Sequence, residues 1–227
     1  IAPGIKIDYE YIDLCLKLRR PYGKISTPRQ EPDPVRIISG VYNGYTTGTP
    51  LTIIIPNHNK KSSDYKDISH TPRPGHADYT FQKKYDIRDY RGGGRSSGRE
   101  TAARVAAGAI AKLFLKENGI SIKACTSQIG KIKAVPPPYN WENVEQNIVR
   151  SADMEAAEKM ALAIKEAQAQ KDSIGGAIYG EISGLPVGLG EPVFDKLDAL
   201  LAHAFMSIGG IKGIEIGDGF EVAEKLG

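Results

Sequence analysis

The sequence predicts a sandwich of β-sheets packed on helices, of the α/β or α+β class. Two segments, residues 99–117 and 154–170, repeat apolar side chains at helical spacing. The stretches that flank them are short and rich in β-branched residues, as strands are. No internal repeat and no domain boundary is evident, so residues 1–227 are interpreted as a single domain.

The first predicted helix covers residues 8–18 and begins at Asp8, a residue type that caps helices. Four prolines between positions 21 and 34 predict a charged loop after it. Strands are predicted over residues 35–41 and 52–55, joined by the turn-forming Asn43-Gly44 pair. The apolar face of the helix is expected to carry Tyr11, Leu14, Cys15 and Leu18.

Residues 56–95 are polar and without periodicity, and loops of such length are usually functional or disordered. The clearest helix follows, because Ser97 and Glu100 have the spacing of a capping box ahead of a long apolar stripe. The remaining predicted elements are strands over residues 120–132, 174–183 and 211–216, a loop over 134–140, and helices over 154–170, with Asp153 or Ser151 as cap, and 194–206.

The composition is that of an ordinary globular protein, with 41% hydrophobic and 25% charged residues. No apolar stretch approaches the roughly 20 residues that span a bilayer, so no membrane association is expected. Cys15 and Cys125 fit neither a disulfide framework nor a metal-ligand spacing. We therefore expect two buried thiols, a cytoplasmic location and no metal site.

Basic residues are concentrated in two segments of a chain whose formal net charge is only +3. Residues 17–36 carry Arg19, Arg20 and Lys24, and residues 88–104 contain five arginines. This distribution favours an anionic ligand, and we expect the two segments to face one cleft. The alternative is that both are solvated faces without a partner.

The strongest local signal is the segment RGGGRSSGRE at residues 91–100. Its glycines allow backbone amides to approach a ligand, and a helix N-terminus attracts oxyanions. Arg95 and Arg99 add forked donors that suit phosphate and carboxylate groups. The alternative is that Ser97 only caps the helix and the arginines are solvated. No Gly-Lys-Ser/Thr follows, so this is not a Walker A loop.

The second signal is the segment RPGHADYT at residues 73–80. His76 stands beside Gly and Pro on a loop and is a candidate acid or base, because imidazole titrates near neutrality. His58 and His70 share this polar segment. The alternative for His76 is a hydrogen-bonded structural histidine.

Together these segments resemble the chorismate synthase family. Residues 91–111, RGGGRSSGRETAARVAAGAIA, are similar to the central signature of the family, and RPGHADYT resembles its second catalytic-histidine motif. Further family-like segments follow in family order, TTGTP at 46–50, DSIG at 172–175, GLGEPVFD at 188–195 and GIEIGDGF at 213–220. The resemblance covers essentially the whole sequence and implies an α+β fold, a β-α-β sandwich of mainly antiparallel sheets packed on helices.

The resemblance implies a lyase that binds reduced FMN and 5-enolpyruvylshikimate-3-phosphate. Such enzymes remove phosphate and one ring hydrogen in an anti-1,4-elimination that yields chorismate, a step of the shikimate pathway to aromatic amino acids. Reduced flavin passes an electron to the substrate and recovers it. NADPH enters only as a source of reducing equivalents, and both its use by the protein and an external reductase stay open. Relatives are usually homotetramers.

The resemblance also assigns residue roles. His76 matches the histidine near flavin N1, and Arg19 matches a substrate-binding arginine. Lys24 stands where relatives often have arginine, although the spacing before it is about one residue shorter than in some of them. The remaining matched positions are Arg95, Ser96 and Ser97 for flavin, and Ser97, Gly98 and Arg99 for substrate phosphate or carboxylate.

Two further pieces of the family pattern are expected outside residues 1–227. A Gly-Glu-Ser-His-Gly motif with another catalytic histidine should precede Ile1, and an Arg-Ser/His-Asp motif with much of the FMN pocket should follow Gly227. Two other classes compete with the enzyme, namely a nucleic-acid-binding module and a phosphate-binding regulatory domain without chemistry. An aromatic content of 7% argues against the first, because single-strand binders stack bases on aromatic side chains.

Overall fold

The computed structural model describes residues 1–21, 25–26, 31–57, 62–92 and 94–226, with only the backbone at positions 62 and 64. These residues form five α-helices and nine strands. The helices are α1 (Tyr9–Arg19), α2 (Asp78–Tyr85), α3 (Thr101–Glu117), α4 (Met154–Ala169) and α5 (Leu197–Met206). The strands are β1 (Arg36–Ser39), β2 (Val41–Tyr42), β3 (Tyr45–Thr46), β4 (Thr52–Ile54), β5 (Ser121–Ile129), β6 (Ile132–Lys133), β7 (Gly176–Ser183), β8 (Gly190–Glu191) and β9 (Asp195–Lys196).

The strands pair antiparallel throughout the described part of the chain. β6, β5 and β7 form a three-stranded sheet in that order, and the pairs β1–β4, β2–β3 and β8–β9 form two-stranded sheets. Short antiparallel sheets mixed with helices confirm the α+β class.

The chain divides into two compact units, and one of the boundaries between them falls inside α3. The first unit comprises Ile1–His58 and Val105–Leu185, and the second comprises Asn59–Arg104 and Pro186–Gly227. Within the second unit, Arg104 donates to Ser207 Oγ (2.7 Å) and to the Ser207 carbonyl (3.0 Å), which ties the start of α3 to the end of α5. The interpretation of the chain as one domain stays a prediction.

Helix α1 begins where the sequence predicts, because Asp8 Oδ1 accepts the N–H of Tyr11 (2.9 Å). Its buried face differs from the prediction. Ile12 and Leu16 are fully buried, whereas Leu14 is 49% exposed. Ile12 and Leu16 are four residues apart, so they lie on one stripe and pack in a cluster with apolar residues of α3, β1 and β4.

The Asn43-Gly44 turn joins β2 to β3 rather than the two strands predicted. Both residues have the positive φ, 50° and 81°, that a two-residue type I′ hairpin needs. The predicted strands pair with each other as β1 and β4, with Ile37 opposite Ile53. The position of the turn was therefore predicted correctly, but the strands that it joins were not.

Two further apolar clusters lie in the first unit. One places Ala156, Ala157 and Met160 of α4 against Ile129 and Ile132. The other contains the following residues, Cys125, Val144, Ala152, Tyr139, Trp141 and Tyr179. Burial raises the pKa of the Cys125 thiol, as expected for a structural cysteine. Cys15 is only half-buried, so the prediction of two buried thiols holds for Cys125 alone.

Asp153 caps α4 and also binds the loop before it. Its carboxylate accepts the N–H groups of Ala156 (3.0 Å) and Val135 (3.0 Å). These backbone hydrogen bonds, that from Ala156 first, hold the pKa of Asp153 below its usual range. A group with a lowered folded-state pKa stabilises the fold above its unfolded pKa of about 4 and loses that contribution as the pH falls through the folded value.

We expect Asp153→Ala to lower the free energy of unfolding by about 1 kcal/mol or more near neutral pH, because it removes a cap. The difference from the parent should narrow at a pH below the lowered folded-state pKa, where protonation weakens the cap in the parent as well. Denaturant unfolding at both pH values measures this, with Glu158→Ala, an exposed carboxylate on the same helix, as control. A difference that is constant with pH would contradict the carboxylate cap.

Two predictions in the second unit are wrong. Helix α2 lies inside the segment that the sequence predicts to be irregular. The sequence does not predict this helix because its exposed lysines and tyrosines give little apolar periodicity. Residues 211–216, predicted as a strand, are all described and form none. A strand needs a neighbour for its backbone N–H and C=O groups, and isoleucines alone do not provide one. None of the helices in the described ranges is both long and apolar enough to cross a bilayer.

Candidate active site

A cluster of charged side chains surrounds Asp78, the first residue of α2, which is only 3% exposed. Arg73 donates from Nε to Oδ2 (2.8 Å) and from Nη2 to Oδ1 (2.9 Å), a bidentate pairing. Arg88 Nη1 lies 2.9 Å from Oδ2. The hydrogen bonds from Arg73 hold the pKa of Asp78 well below its usual range, although burial opposes them.

His76 is part of the same cluster. Its Nδ1 lies 2.7 Å from Asp78 Oδ1 and 3.3 Å from Arg73 Nη2. The imidazole is 21% exposed, so one edge faces Asp78 while part of the ring stays accessible. The histidine predicted as an acid or base is thus held by a buried carboxylate.

The local sequence explains this arrangement. Gly75 has a φ of 67°, the left-handed conformation that favours glycine, and it lets the chain turn tightly between Arg73 and α2. The N–H of His76 closes the turn on the Arg73 carbonyl (3.3 Å). The backbone N–H of Arg73 also binds Asp78 Oδ2 (3.1 Å), so both ends of the turn meet at one carboxylate.

The glycine-rich segment leads into α3 through two 3₁₀ turns, Gly94–Ser96 and Gly98–Glu100. Ser97 Oγ accepts the N–H of Arg99 (3.2 Å), which confirms Ser97 as a cap. The helix itself begins at Thr101, two residues later than predicted. The carboxylate of Glu100 binds Arg104 Nε (2.8 Å) instead of reaching back to the cap, and Ser97 Oγ accepts the N–H of Arg99 rather than that of Glu100, so the cap forms without the predicted capping box.

The residues of this segment that are predicted to contact ligands lie just before a 17-residue helix and carry hydrogen-bond donors. Arg95 and Gly98 are exposed, and a Cβ added at Gly98 would meet nothing within 4 Å. Ser96, Ser97 and Arg99 are half-buried. Guanidinium and hydroxyl groups beside a helix N-terminus fit phosphate or carboxylate ligands, so the residues present suit an anionic cofactor or substrate.

Tyr65 and Arg88 connect the histidine turn to the glycine-rich segment within the second unit. The guanidinium carbon of Arg73 lies 5.5 Å from the centroid of the Tyr65 ring, within the range of a cation–π contact. A Cβ at Gly92 would lie 3.9 Å from the same ring. Arg88, just before the glycine-rich segment, binds both Asp78 and the Ser69 carbonyl. The two motifs are therefore structural neighbours.

Sequence reasoning did not single out these supporting residues, Tyr65, Arg73, Asp78 and Arg88. A signal for two of them existed, since Arg73 and Asp78 stand three residues before and two after His76 in a glycine turn. The contributions of Tyr65 and Arg88 come from outside the motif and show no local pattern. Within the described ranges, no three His, Cys, Asp or Glu side chains are close enough to hold a metal ion.

The basic segment near α1 belongs to the first unit. Arg19, the last residue of α1, donates from Nη1 to Asp33 Oδ2 (3.3 Å), and the side chain of Asp33 is fully buried. An acid of the same segment therefore partly offsets the Arg19 charge. Lys24 lies outside the described residues. The shared cleft for Arg19 and Arg95 stays a prediction, because the two residues belong to different units.

Comparison with known proteins agrees with these features. The family model described as chorismate synthase matches residues 1–227. The chain belongs to the chorismate synthase family. It is 52% identical over 225 residues to the chorismate synthase of Lachnoclostridium phytofermentans, covering 99% of this chain and 61% of that protein. A solved structure titled "Crystal Structure of Chorismate Synthase" is 31% identical to this chain, with a TM-score of 0.79. The match covers 100% of this chain and 65% of the chain in that structure.

Membership of the chorismate synthase family confirms the resemblance of the sequence motifs and supports the α+β fold. The chain spans less than two thirds of the length of these two relatives. The roles that the family pattern assigns to individual residues, His76 and Arg99 among them, stay predictions.

Proposed function

We propose that this protein is a lyase that converts 5-enolpyruvylshikimate-3-phosphate into chorismate, with reduced FMN as cofactor. The observation that supports it best is the juxtaposition of His76 and the glycine-rich segment through Tyr65 and Arg88. A candidate acid or base and a set of anion donors are both needed for phosphate elimination beside a flavin.

The charge of the ligands accounts for the donors. The substrate carries a phosphate and two carboxylates, and FMN carries a further phosphate. Forked guanidinium groups and a helix N-terminus bind such groups with charge-assisted hydrogen bonds. The residues proposed to hold the substrate are Arg19, Lys24, Ser97, Gly98 and Arg99, and those proposed to hold flavin are His76, Arg95, Ser96 and Ser97.

The reaction breaks the carbon–oxygen bond to phosphate and removes one ring proton, and a new carbon–carbon double bond forms. Reduced flavin, when bound, supplies an electron to the substrate and recovers it, so no net oxidation results. His76 would hold a hydrogen bond or a proton at flavin N1, where the reduced ring would carry negative charge. Arg95 and Arg99 bind anionic groups and keep the phosphate in place as its charge increases.

Anaerobic assay with chemically reduced FMN tests this function. We expect one phosphate and one chorismate per substrate consumed, together with a change in flavin absorbance when substrate is added. Substrate binding without phosphate release would instead favour a regulatory phosphate-binding domain. Oligonucleotide binding without a flavin response would favour a nucleic-acid module.

Finer features of this proposal rest on the family resemblance. We take FMN to be the flavin, NADPH to serve only as a source of reducing equivalents, and the assembly to be a homotetramer in the cytoplasm. Neither a nucleic acid nor a membrane is proposed as a partner. Light scattering coupled to size-exclusion chromatography measures the assembly, and flavin titration against FMN and riboflavin measures the need for the phosphate.

A further inference from the structure

We propose that Asp78 is a positioning residue that sets the tautomer and orientation of His76, so that Nε2 is the ring nitrogen presented to a ligand. The proposal concerns the reduced flavin only if the proposed function holds. The orientation itself rests on contacts within the protein. The roles assigned from the sequence to this motif do not include one for Asp78.

The hydrogen-bonding chemistry of the contacts supports this tautomer. Asp78 binds two guanidinium groups, Arg73 and Arg88, so its carboxylate is ionised and acts only as an acceptor. The nitrogen 2.7 Å from that carboxylate, His76 Nδ1, must therefore be the donor. Arg73 Nη2 lies farther from Nδ1, at 3.3 Å, and already donates to Asp78 Oδ1 (2.9 Å).

With the proton on Nδ1, a neutral imidazole has its lone pair on Nε2, and a protonated one has an N–H there. In either form, Nε2 is the ring nitrogen available to hydrogen-bond a ligand. Rotation of the ring would break the 2.7 Å bond to Asp78. Asp78 cannot follow such a rotation, because Arg73 and Arg88 hold both of its oxygens and it begins α2.

The charges around the imidazole explain why a carboxylate is needed there. The Arg73 guanidinium and the Asp78 carboxylate both contact Nδ1, while Arg88 contacts the same carboxylate and Tyr65 packs on Arg73. Without the carboxylate, Nδ1 would face the Arg73 cation alone. Without Asp78, the donor Arg73 Nη2 at 3.3 Å would make Nδ1 the acceptor and leave the proton on Nε2.

Nitrogen-15 NMR of histidine-labelled protein, without flavin or substrate, tests the proposal. At a pH where the ring is neutral, we expect the Nδ1–H tautomer of His76 to exceed the Nε2–H tautomer about tenfold, since a hydrogen bond to a charged group favours it. The signal is assigned by its loss in His76→Ala. A neutral ring with its proton on Nε2 in the parent protein would overturn the proposal.

Asp78→Ala should reverse the preference, so that Nε2–H becomes the major tautomer. Asp89→Ala, which removes an exposed carboxylate bound by Arg91, should leave the ratio of the parent. An unchanged ratio in folded Asp78→Ala protein would also overturn the proposal. If that variant does not fold, the tautomer of the parent decides alone. Because no ligand is present, failure of the proposed lyase activity would not alter these readouts.

Discussion

His76→Ala is expected to slow chorismate formation by about 10²-fold or more, the usual size of a lost acid–base group. In the proposed reaction, a flavin bound beside His76 would supply an electron and recover it, so its charge would need to be held steady. An imidazole placed at flavin N1, as the family resemblance implies for His76, would do this by donating a hydrogen bond or a proton, and alanine could do neither. His76→Asn should recover part of the rate, because an amide donates a hydrogen bond but no proton.

The fold of the variant should be nearly unchanged. His76 lies on a turn before α2 rather than in an apolar cluster. Its removal leaves Asp78 bound by Arg73 and Arg88, so no buried charge loses its last partner. Anaerobic turnover with chemically reduced FMN and thermal unfolding measure the two effects, with His70→Ala, an exposed histidine of the same unit, as control.

Two results would contradict this prediction. Near-normal turnover in folded His76→Ala protein would remove His76 from the site. A large loss of stability would instead show that the histidine is structural and that its bond to Asp78 maintains the turn. A matching loss in His70→Ala would mean that the segment tolerates no substitution.

Arg99→Ala should weaken substrate binding by about 2 kcal/mol or more, which is about 30-fold, if Arg99 pairs with a buried substrate anion. Flavin binding should change much less, because the resemblance assigns Arg99 to substrate phosphate or carboxylate. The start of α3 should survive, since Ser97 Oγ accepts the backbone N–H of Arg99, which alanine retains. Arg99→Lys should be intermediate, because it keeps the charge but loses the fork.

Anaerobic titration of the protein with substrate and, separately, with reduced FMN measures both affinities. Lys112→Ala is a matched control, because it removes an exposed cation from the same helix. Equal substrate affinity in variant and parent would exclude Arg99 from the site. Equal losses for substrate and flavin would indicate that the substitution disturbs the glycine-rich segment as a whole.

Capped helices were predictable from the sequence because a cap is a local interaction. Asp8 and Asp153 each accept an N–H three residues further on, and Ser97 accepts one two residues further on. Such contacts depend on neighbours in the chain and leave a pattern that a short window contains. The order of the family-like motifs likewise needed no folding to be seen, and the family match over residues 1–227 confirms it.

Pairings between distant residues required the tertiary structure. The Asn43-Gly44 turn is evident in the sequence, yet its strands are β2 and β3, because β1 finds its partner in β4 beyond the hairpin. The buried face of α1 was likewise decided by what packs against Ile12 and Leu16 rather than by spacing alone.

The candidate site shows the same division between local and distant contacts. The sequence by itself identified His76 and the glycine-rich segment as candidates for the chemistry, through their residue types and the motifs around them. Only the tertiary structure decided that Asp78 and Arg73 contact the histidine, that Arg88 contacts Asp78, and that Tyr65 lies between the two motifs. The reason is physical, since burying a carboxylate demands cationic partners, and the fold supplies one of them from beyond α2.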